Sequence, residues 1–479
     1  MKKVIFLINS SLLYSIPTAL AITSAIVLLP IYTRYLQPED YGILAVLAVL
    51  SGLGLSFSSW NTDASIYRFS NHFETKQEKK EFLGTIYIFK FTLSLVIASL
   101  IVCLGATLYH FGYGYEDVPF TPFIVTQAII IFLSTCTGFQ LILWISEEKP
   151  KANAYVQVIS FFLINLSALI FIIFFNEGAW GKIKALLVTE SILFFIFTYL
   201  SLKKISLTFS LNYLKKSFRF CLPLFFSQLA NLLLKYSDRI ILAFYLDISK
   251  IGFLHVADSL SRSLESVWRG AEKAVMPYVF NSTEDEETVN KTLSALYELW
   301  VMVACIILIS FALTVKPFIF NILGESYRDQ EVYIASLLLA LAYFFSIVYP
   351  FFTLALAIAE KTNLILQVTL TVTILNISLN IILIPLYGWL AAPFTTAFSS
   401  FVLAFLFWLQ AKRATSIRLN FLFILYCFSM SIGIFLLTES LIPNTSLIYE
   451  LIKIPFGALL LIIIFYFVFD IKKRVLQIN

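Results

Sequence analysis

The chain has 479 residues, of which 59% are hydrophobic and 13% charged, with a formal net charge of +5. Soluble domains carry about 25% charged residues, so this chain lacks the polar surface to cover a water-soluble globule of its size. The composition excludes a soluble enzyme and points to an all-α polytopic membrane protein, and the basic excess reflects where charges fall along the chain rather than nucleic-acid binding.

A helix that crosses the hydrocarbon core needs about 20 mostly apolar residues. Such runs lie near 8–31, 41–64, 83–108, 120–144, 153–175, 183–201 and 220–246 in the first part of the chain. They continue near 251–275, 292–315, 331–358, 364–385, 388–410, 420–440 and 451–469. This predicts fourteen spans. The first begins with Lys2 and Lys3 like a secretory signal, but its apolar stretch exceeds the roughly 7–15 residues of such a signal and is broken by polar residues. It is read as a retained helix.

The connecting segments alternate in charge. "RFSNHFETKQEKKE", "SEEKPK", "LKKISLTFSLNYLKKSFR", "AKRATSIR", the initial "MKK" and the final "DIKKR" hold most of the lysines and arginines. Basic loops stay in the cytoplasm, so both termini are expected there, in agreement with an even number of spans, which requires them to share a side. No connection has room for a soluble catalytic domain. The longest basic one, between spans 6 and 7, reads as an interfacial amphipathic piece.

One phrase occurs twice. "YLQPEDYGIL" runs from Tyr35 to Leu44 and "YLDISKIGFL" from Tyr245 to Leu254, an offset of 210 residues. The first joins spans 1 and 2 and the second joins spans 7 and 8, so the offset equals six spans. That is the pattern of two six-helix halves repeated in parallel. The cysteines (Cys103, Cys136, Cys221, Cys305 and Cys427) and the histidines (His72, His110 and His255) stand singly, giving no metal or disulfide motif. "GAWGK" at 178–182 is not a P-loop.

Three segments carry a resemblance. "LPIYTRYLQPEDYGILAVLAVLSGL" resembles the first helical hairpin of Wzx-type oligosaccharide flippases. "LPLFFSQLANLLLKYSDRIILAFYLDISKIGFLHVADSL", with Ser237, Asp238 and Arg239, is similar to the start of their second half. "NISLNIILIPLYGWLAAPFTTAFSS", with Asn376, Asn380, Pro385 and Gly388, resembles a late segment of the same family. The resemblance implies the MOP superfamily fold, shared with MATE exporters and with MurJ, in which two six-helix lobes enclose a central cavity. The expected division is an N-lobe at 1–204, an amphipathic linker at 205–219, a C-lobe at 220–412, and spans 13 and 14 with a basic tail at 413–479. Such a C-terminal pair is similar to one that in MurJ forms a groove for the lipid tail.

The resemblance implies a transporter rather than an enzyme. Its cargo would be undecaprenyl-diphosphate-linked oligosaccharide, moved to the outer leaflet of the bacterial cytoplasmic (inner) membrane for polysaccharide such as O-antigen. Membrane lipids and polysaccharide polymerase or assembly proteins are the implied partners. No cofactor or metal is expected, and a coupling ion, proton or sodium, stays open.

Charges inside spans cost about 2.5–3.5 kcal/mol each at a helix centre, so they need a reason. On span 8, Asp258, Arg262, Glu265 and Arg269 fall within roughly 60° of arc at about 100° per residue. Span 7 carries Gln228, Asn231, Lys235, Asp238 and Arg239, and span 11 carries Thr369, Thr373, Asn376 and Asn380. Lys90 lies in span 3 and Asp63 near the inner end of span 2.

An arginine fork grips phosphate oxygens with two hydrogen bonds. Arg262 and Arg269, then Lys235, Arg239 and Lys90, are the candidate phosphate ligands. Asp63, Asp238, Asp258, Glu265, Asn376 and Asn380 are candidates for polar or ion-coupling roles. The simpler reading, that the charges of spans 7 and 8 pair with each other and hold the fold, stays open. Equal depth in adjacent antiparallel spans makes Arg239 with Asp258 the expected pair or shared polar cluster, with Asp238 competing for Arg239. Pro17, Pro223, Pro385 and Pro393 are candidate bends. A MATE-like small-molecule exporter and a membrane glycosyltransferase or polymerase are the competing readings. The excess of cations over acids in spans 7 and 8 disfavours the first, and the short outer loops disfavour the second.

Overall fold

The computed structural model describes residues 20, 24–70, 73, 75–111, 118–147, 149–281, 286–359, 361–415, 419–441, 453, 455, 457 and 459, apart from the side chains of 25, 266–292, 362, 439 and 441. These residues form helices: α1 (Leu29–Tyr35), α2 (Pro38–Ser59), α3 (Asp63–Phe69), α4 (Lys76–His110), α5 (Val125–Ser146), α6 (Pro150–Ile173), α7 (Gly178–Leu202) and α8 (Leu211–Tyr245). Then come α9 (Ile248–Asn281), α10 (Glu286–Asn321), α11 (Gln330–Val348), α12 (Pro350–Ile358), α13 (Thr362–Tyr387), α14 (Ala391–Ala414) and α15 (Phe421–Leu441).

Among the described residues, 11 helices are long and apolar enough to cross a membrane, and they match spans 2–7 and 9–13. Span 8 corresponds to α9, which carries the charged stripe. Spans 1 and 14 lie mostly outside the described residues. Leu100, Leu104, Leu166, Ile170 and Phe195 are all exposed, some by more than half. Such side chains would make aggregating patches in water but face lipid without cost. The protein is an all-α polytopic membrane protein.

Two compact units divide the chain, one made of residues 1–20 and 34–255 and one made of 21–33 and 256–479. In the first unit, α5 packs against α2, α4 and α7, α6 packs on α7, and α8 packs on α2. In the second, α14 packs against α11 and α13, and α10 against α11 and α15. Here the Gly324 amide donates to the Thr33 hydroxyl at 3.1 Å. Trp389 Nε1 donates to Glu331 at 2.7 Å, tying the starts of α11 and α14 together.

The stretch 205–219, expected as an amphipathic linker, consists of a strap followed by the first turns of α8. The strap lies on α4: the Ser206 amide donates to the Lys80 carbonyl at 3.0 Å, and the Ser210 amide to the Thr85 hydroxyl at 3.1 Å. A Cβ on Gly84 would stand 1.7 Å from the Ser206 oxygen, so only glycine permits this approach. Ile205 anchors the strap in a core of Ile66, Phe82, Leu83, Ile86, Tyr87, Phe139 and Leu143. Nearby, Glu147 accepts from Lys149 at 2.8 Å and Lys204 at 2.7 Å. Burial pushes its carboxyl up, but the two ammonium groups outweigh this and hold it below the usual range. That contribution is present above the unfolded carboxylate pKa and is lost as pH falls through the lowered folded one.

The twice-written phrase acquires a structural meaning inside the first unit. A Cβ on Gly42 would meet the Ile248 carbonyl oxygen at 2.1 Å, and a Cβ on Gly252 would meet the Pro38 carbonyl oxygen at 1.9 Å. Position 38 corresponds to 248 and 42 to 252 under the 210-residue offset. The first turns of α2 and α9 therefore cross in a reciprocal contact, each presenting a glycine to the other's first carbonyl. Asp40 fixes the α2 end further, accepting from the Gln37 amide at 3.0 Å and from the Ala179 amide at 2.8 Å.

Candidate functional site

Helix α9 has 34 residues, and in its middle the i, i+4 spacing of Asp258 and Arg262 brings the two side chains together on one face. Arg262 donates through a terminal nitrogen to Asp258 Oδ2. Asp258 Oδ1 accepts from the Tyr343 hydroxyl at 2.5 Å, and Arg262 Nε donates to the Tyr343 oxygen at 3.2 Å. Three groups thus close a ring. The carboxylate of Asp258 is 7% exposed, whereas the Arg262 side chain is 37% exposed. Asp258 and Tyr343 therefore hold the guanidinium in place while part of the Arg262 side chain stays accessible. Ser261, one residue before, is buried and donates to the Ser336 carbonyl at 2.8 Å, docking α9 on α11.

Glu265 continues the stripe, partly buried on the same face. The side chain of Arg269 lies outside the described residues. On α8, Asp238 and Arg239 are buried: Arg239 donates to Asp238 at 3.3 Å and to the Lys235 carbonyl at 3.2 Å. Lys235 and Asn231 are exposed. Each member of the expected pair, Arg239 and Asp258, thus has a partner within its own unit: Asp238 for Arg239, and Arg262 with Tyr343 for Asp258.

In the first unit, Lys90 is 3% exposed and donates to Asp63 at 2.5 Å. Two positions read separately in the sequence form one ion pair, with Lys90 buried and Asp63 partly exposed. Asn376 and Asn380 sit in the α13–α14 contact with Thr369 and Thr373 buried beside them. Asn376 donates to Ser399 at 3.1 Å, Asn380 donates to Asn376 at 3.1 Å, and Thr395 donates to Asn380. This geometry is that of a helix-packing seam, with the amides engaged by neighbouring side chains.

Two participants have no counterpart in the sequence reading. Tyr343 stands in the run "LLLALAYFFSIV", where nothing but its hydroxyl distinguishes it from the aromatics around it. Glu190 lies in the apolar run of α7 and accepts from the Thr137 hydroxyl at 2.9 Å. The insertion cost that singles out Lys90 applies equally to Glu190, so the signal for it was present. Among the described residues, no three His, Cys, Asp or Glu side chains gather as a metal site.

A second feature lies in the unit that holds Arg262. Leu308, Ile309, Leu337, Leu341, Phe428 and Phe435 line an apolar pocket of about 200 Å³ formed by α10, α11 and α15.

The sequence matches a family model described as "Polysaccharide biosynthesis protein" over residues 31–332. No curated protein matches it. Among solved structures, the chain is similar to the lipid II flippase MurJ in an inward closed conformation, with a TM-score of 0.75 and 14% identity, covering 98% of this chain and 100% of that one. It is also similar to a multidrug resistance MATE family transporter of the MOP superfamily in an inward-facing conformation, with a TM-score of 0.55 and 14% identity, covering 85% of this chain and 97% of that one. At such identities these likenesses establish the fold.

Proposed function

The chain belongs to the polysaccharide biosynthesis protein family, and from that premise we propose that it is a flippase carrying undecaprenyl-diphosphate-linked oligosaccharide from the inner to the outer leaflet of the cytoplasmic membrane. The observation that carries the reading is the state of Arg262. A permanently charged fork in the middle of a membrane helix is oriented by Asp258 and Tyr343, on a side chain that is still 37% exposed. A guanidinium held this way suits the phosphate oxygens of a diphosphate, which it engages with paired hydrogen bonds. Arg269, Lys235 and Arg239 are the further cations assigned to the headgroup path. The Lys90–Asp63 pair is assigned to coupling by proton or sodium, or to stabilising the first unit.

The apolar pocket on α10, α11 and α15 supports the same reading, because a polyprenyl tail needs a dry surface of that kind while its headgroup is elsewhere. The topology proposed with it places both termini and the basic loops in the cytoplasm. The test is removal of the gene from its host. Undecaprenyl-linked glycan is expected to accumulate on the cytoplasmic side while surface polysaccharide is lost, and the accumulated species identifies the cargo. Loss of drug resistance with normal surface polysaccharide would reject this assignment in favour of a small-molecule exporter.

A further inference from the structure

A second cluster of cations lies away from the α9 stripe, in the first unit. Arg68, from the last turn of α3, meets Lys215, Lys216 and Arg219 from the start of α8 around a pocket of about 460 Å³. Phe69 and Phe220 complete its lining. Among the described residues, none of the four cations forms an ion pair with a carboxylate. Their visible partners are rings: Arg68 stands 4.4 Å from the Phe220 centroid and Lys216 4.9 Å from that of Phe69.

Four like charges share one concavity. Lys215 and Lys216 also sit in the second turn of a helix with no acidic residue in its first turn, next to the end whose dipole favours an anion. Aromatic packing braces the site. Phe69 packs on Phe220 and Phe82 with ring centroids 5.7 and 6.4 Å apart, and Phe82 meets Tyr213 at 6.0 Å. Beneath them, the strap of 206–210 fixes where α8 begins, through its bonds to Lys80 and Thr85.

We propose that this pocket binds the phosphate-bearing headgroup of an anionic lipid at the cytoplasmic rim. The cations supply charge and hydrogen bonds to the phosphate oxygens, and the two phenylalanines give an apolar edge against which the first carbons of the lipid lie. The inference goes beyond the transport reading. It uses no residue of the α9 ring and holds for a polyprenyl diphosphate waiting to enter as well as for an anionic phospholipid bound permanently.

The experiment compares the full-length protein with a Lys215→Gln/Lys216→Gln/Arg219→Gln variant and with Arg68→Gln alone. Each is reconstituted in nanodiscs containing phosphatidylcholine with undecaprenyl diphosphate, with phosphatidylglycerol, or with neither. Lipid retained through purification is quantified by mass spectrometry, with thermal unfolding as the control for folding. These side chains are exposed, and glutamine keeps their hydrogen-bonding capacity, so the variants should melt like the wild type. Near-surface cations contribute roughly a fivefold change in lipid binding each, so Arg68→Gln should weaken retention by about that factor and the triple variant by more than tenfold. Preference for undecaprenyl diphosphate over phosphatidylglycerol assigns the site to loading of cargo, and equal retention assigns it to membrane phospholipid. Either result supports headgroup binding. Retention of phosphatidylcholine equal to that of the anionic lipids, or unchanged retention in the folded triple variant, overturns it. Normal glycan export together with lost retention leaves the transport reading intact, so the two ideas fail separately.

Discussion

Replacing Arg262 with lysine is expected to lower glycan export at least tenfold while protein abundance stays within about twofold of wild type. Lysine keeps a positive charge for Asp258 but cannot bond Asp258 and Tyr343 together while presenting a planar fork. Arg262→Ala is a different experiment, because the structure places a nearly buried carboxylate against this arginine. Removing one partner of a fully buried pair costs about 3–5 kcal/mol. The exposed part of Arg262 reduces that figure through solvent screening, and Tyr343 still donates to Asp258. Alanine should therefore lose both protein and export, and Arg262→Ala/Asp258→Asn should recover protein without recovering export. Measuring export per folded molecule separates the two roles. If Arg262→Lys exports normally, the fork has no part in handling cargo and the ring is a scaffold.

The second large effect is expected at the reciprocal glycine contact. In Gly42→Ala or Gly252→Ala, the new methyl group would overlap a backbone carbonyl oxygen that stands near 2 Å from the Cβ position. No rotamer relieves that clash, so the first turns of α2 and α9 must separate. Overpacking of this kind costs about 1–3 kcal/mol, at the upper end where backbone has to move. Gly138→Ala is the internal control: a Cβ there meets nothing within 4 Å, and alanine in a helix interior is favoured over glycine by about 0.5–1 kcal/mol. In detergent, the melting temperature should fall for the first two variants and hold or rise for Gly138→Ala. Leu at 42 or 252 should abolish folded protein. A Gly42→Ala variant as stable as Gly138→Ala would mean that the crossing is not close in the working molecule.

Much of this architecture is legible in the sequence because a bilayer leaves few alternatives. Apolar length marks the spans. The Asp258–Arg262 contact follows from i, i+4 spacing alone. What escapes is set by tertiary neighbours. Tyr343 is 81 positions beyond Arg262 in a run of residues that all suit lipid or core. The Asp63–Lys90 pair joins α3 to α4, and Asp63 opens α3 just after a break in which Trp60 and Asn61 adopt positive φ, one that hydropathy does not register. Asn376 and Asn380 read in the sequence as helix-packing groups more readily than as ligands, but their partners, Ser399 and Thr395 on the next helix, are seen only in the fold. The repeated phrase shows the reverse case. Its glycines signal a constraint in the sequence, and the reason appears only when the carbonyls of Pro38 and Ile248 are seen against them.

The central claim is translocation of a lipid-linked glycan, and the most direct measurement places the purified protein in liposomes loaded with the undecaprenyl-diphosphate-linked oligosaccharide of its host. A membrane-impermeant glycosidase added outside reads how much glycan becomes accessible with time. With the wild-type protein, the accessible fraction should rise from the half expected for a symmetric, static bilayer toward completion, and with Arg262→Lys it should rise at least tenfold more slowly. An accessible fraction that stays at its starting value with folded wild-type protein, under imposed proton and sodium gradients of either direction, would contradict the account.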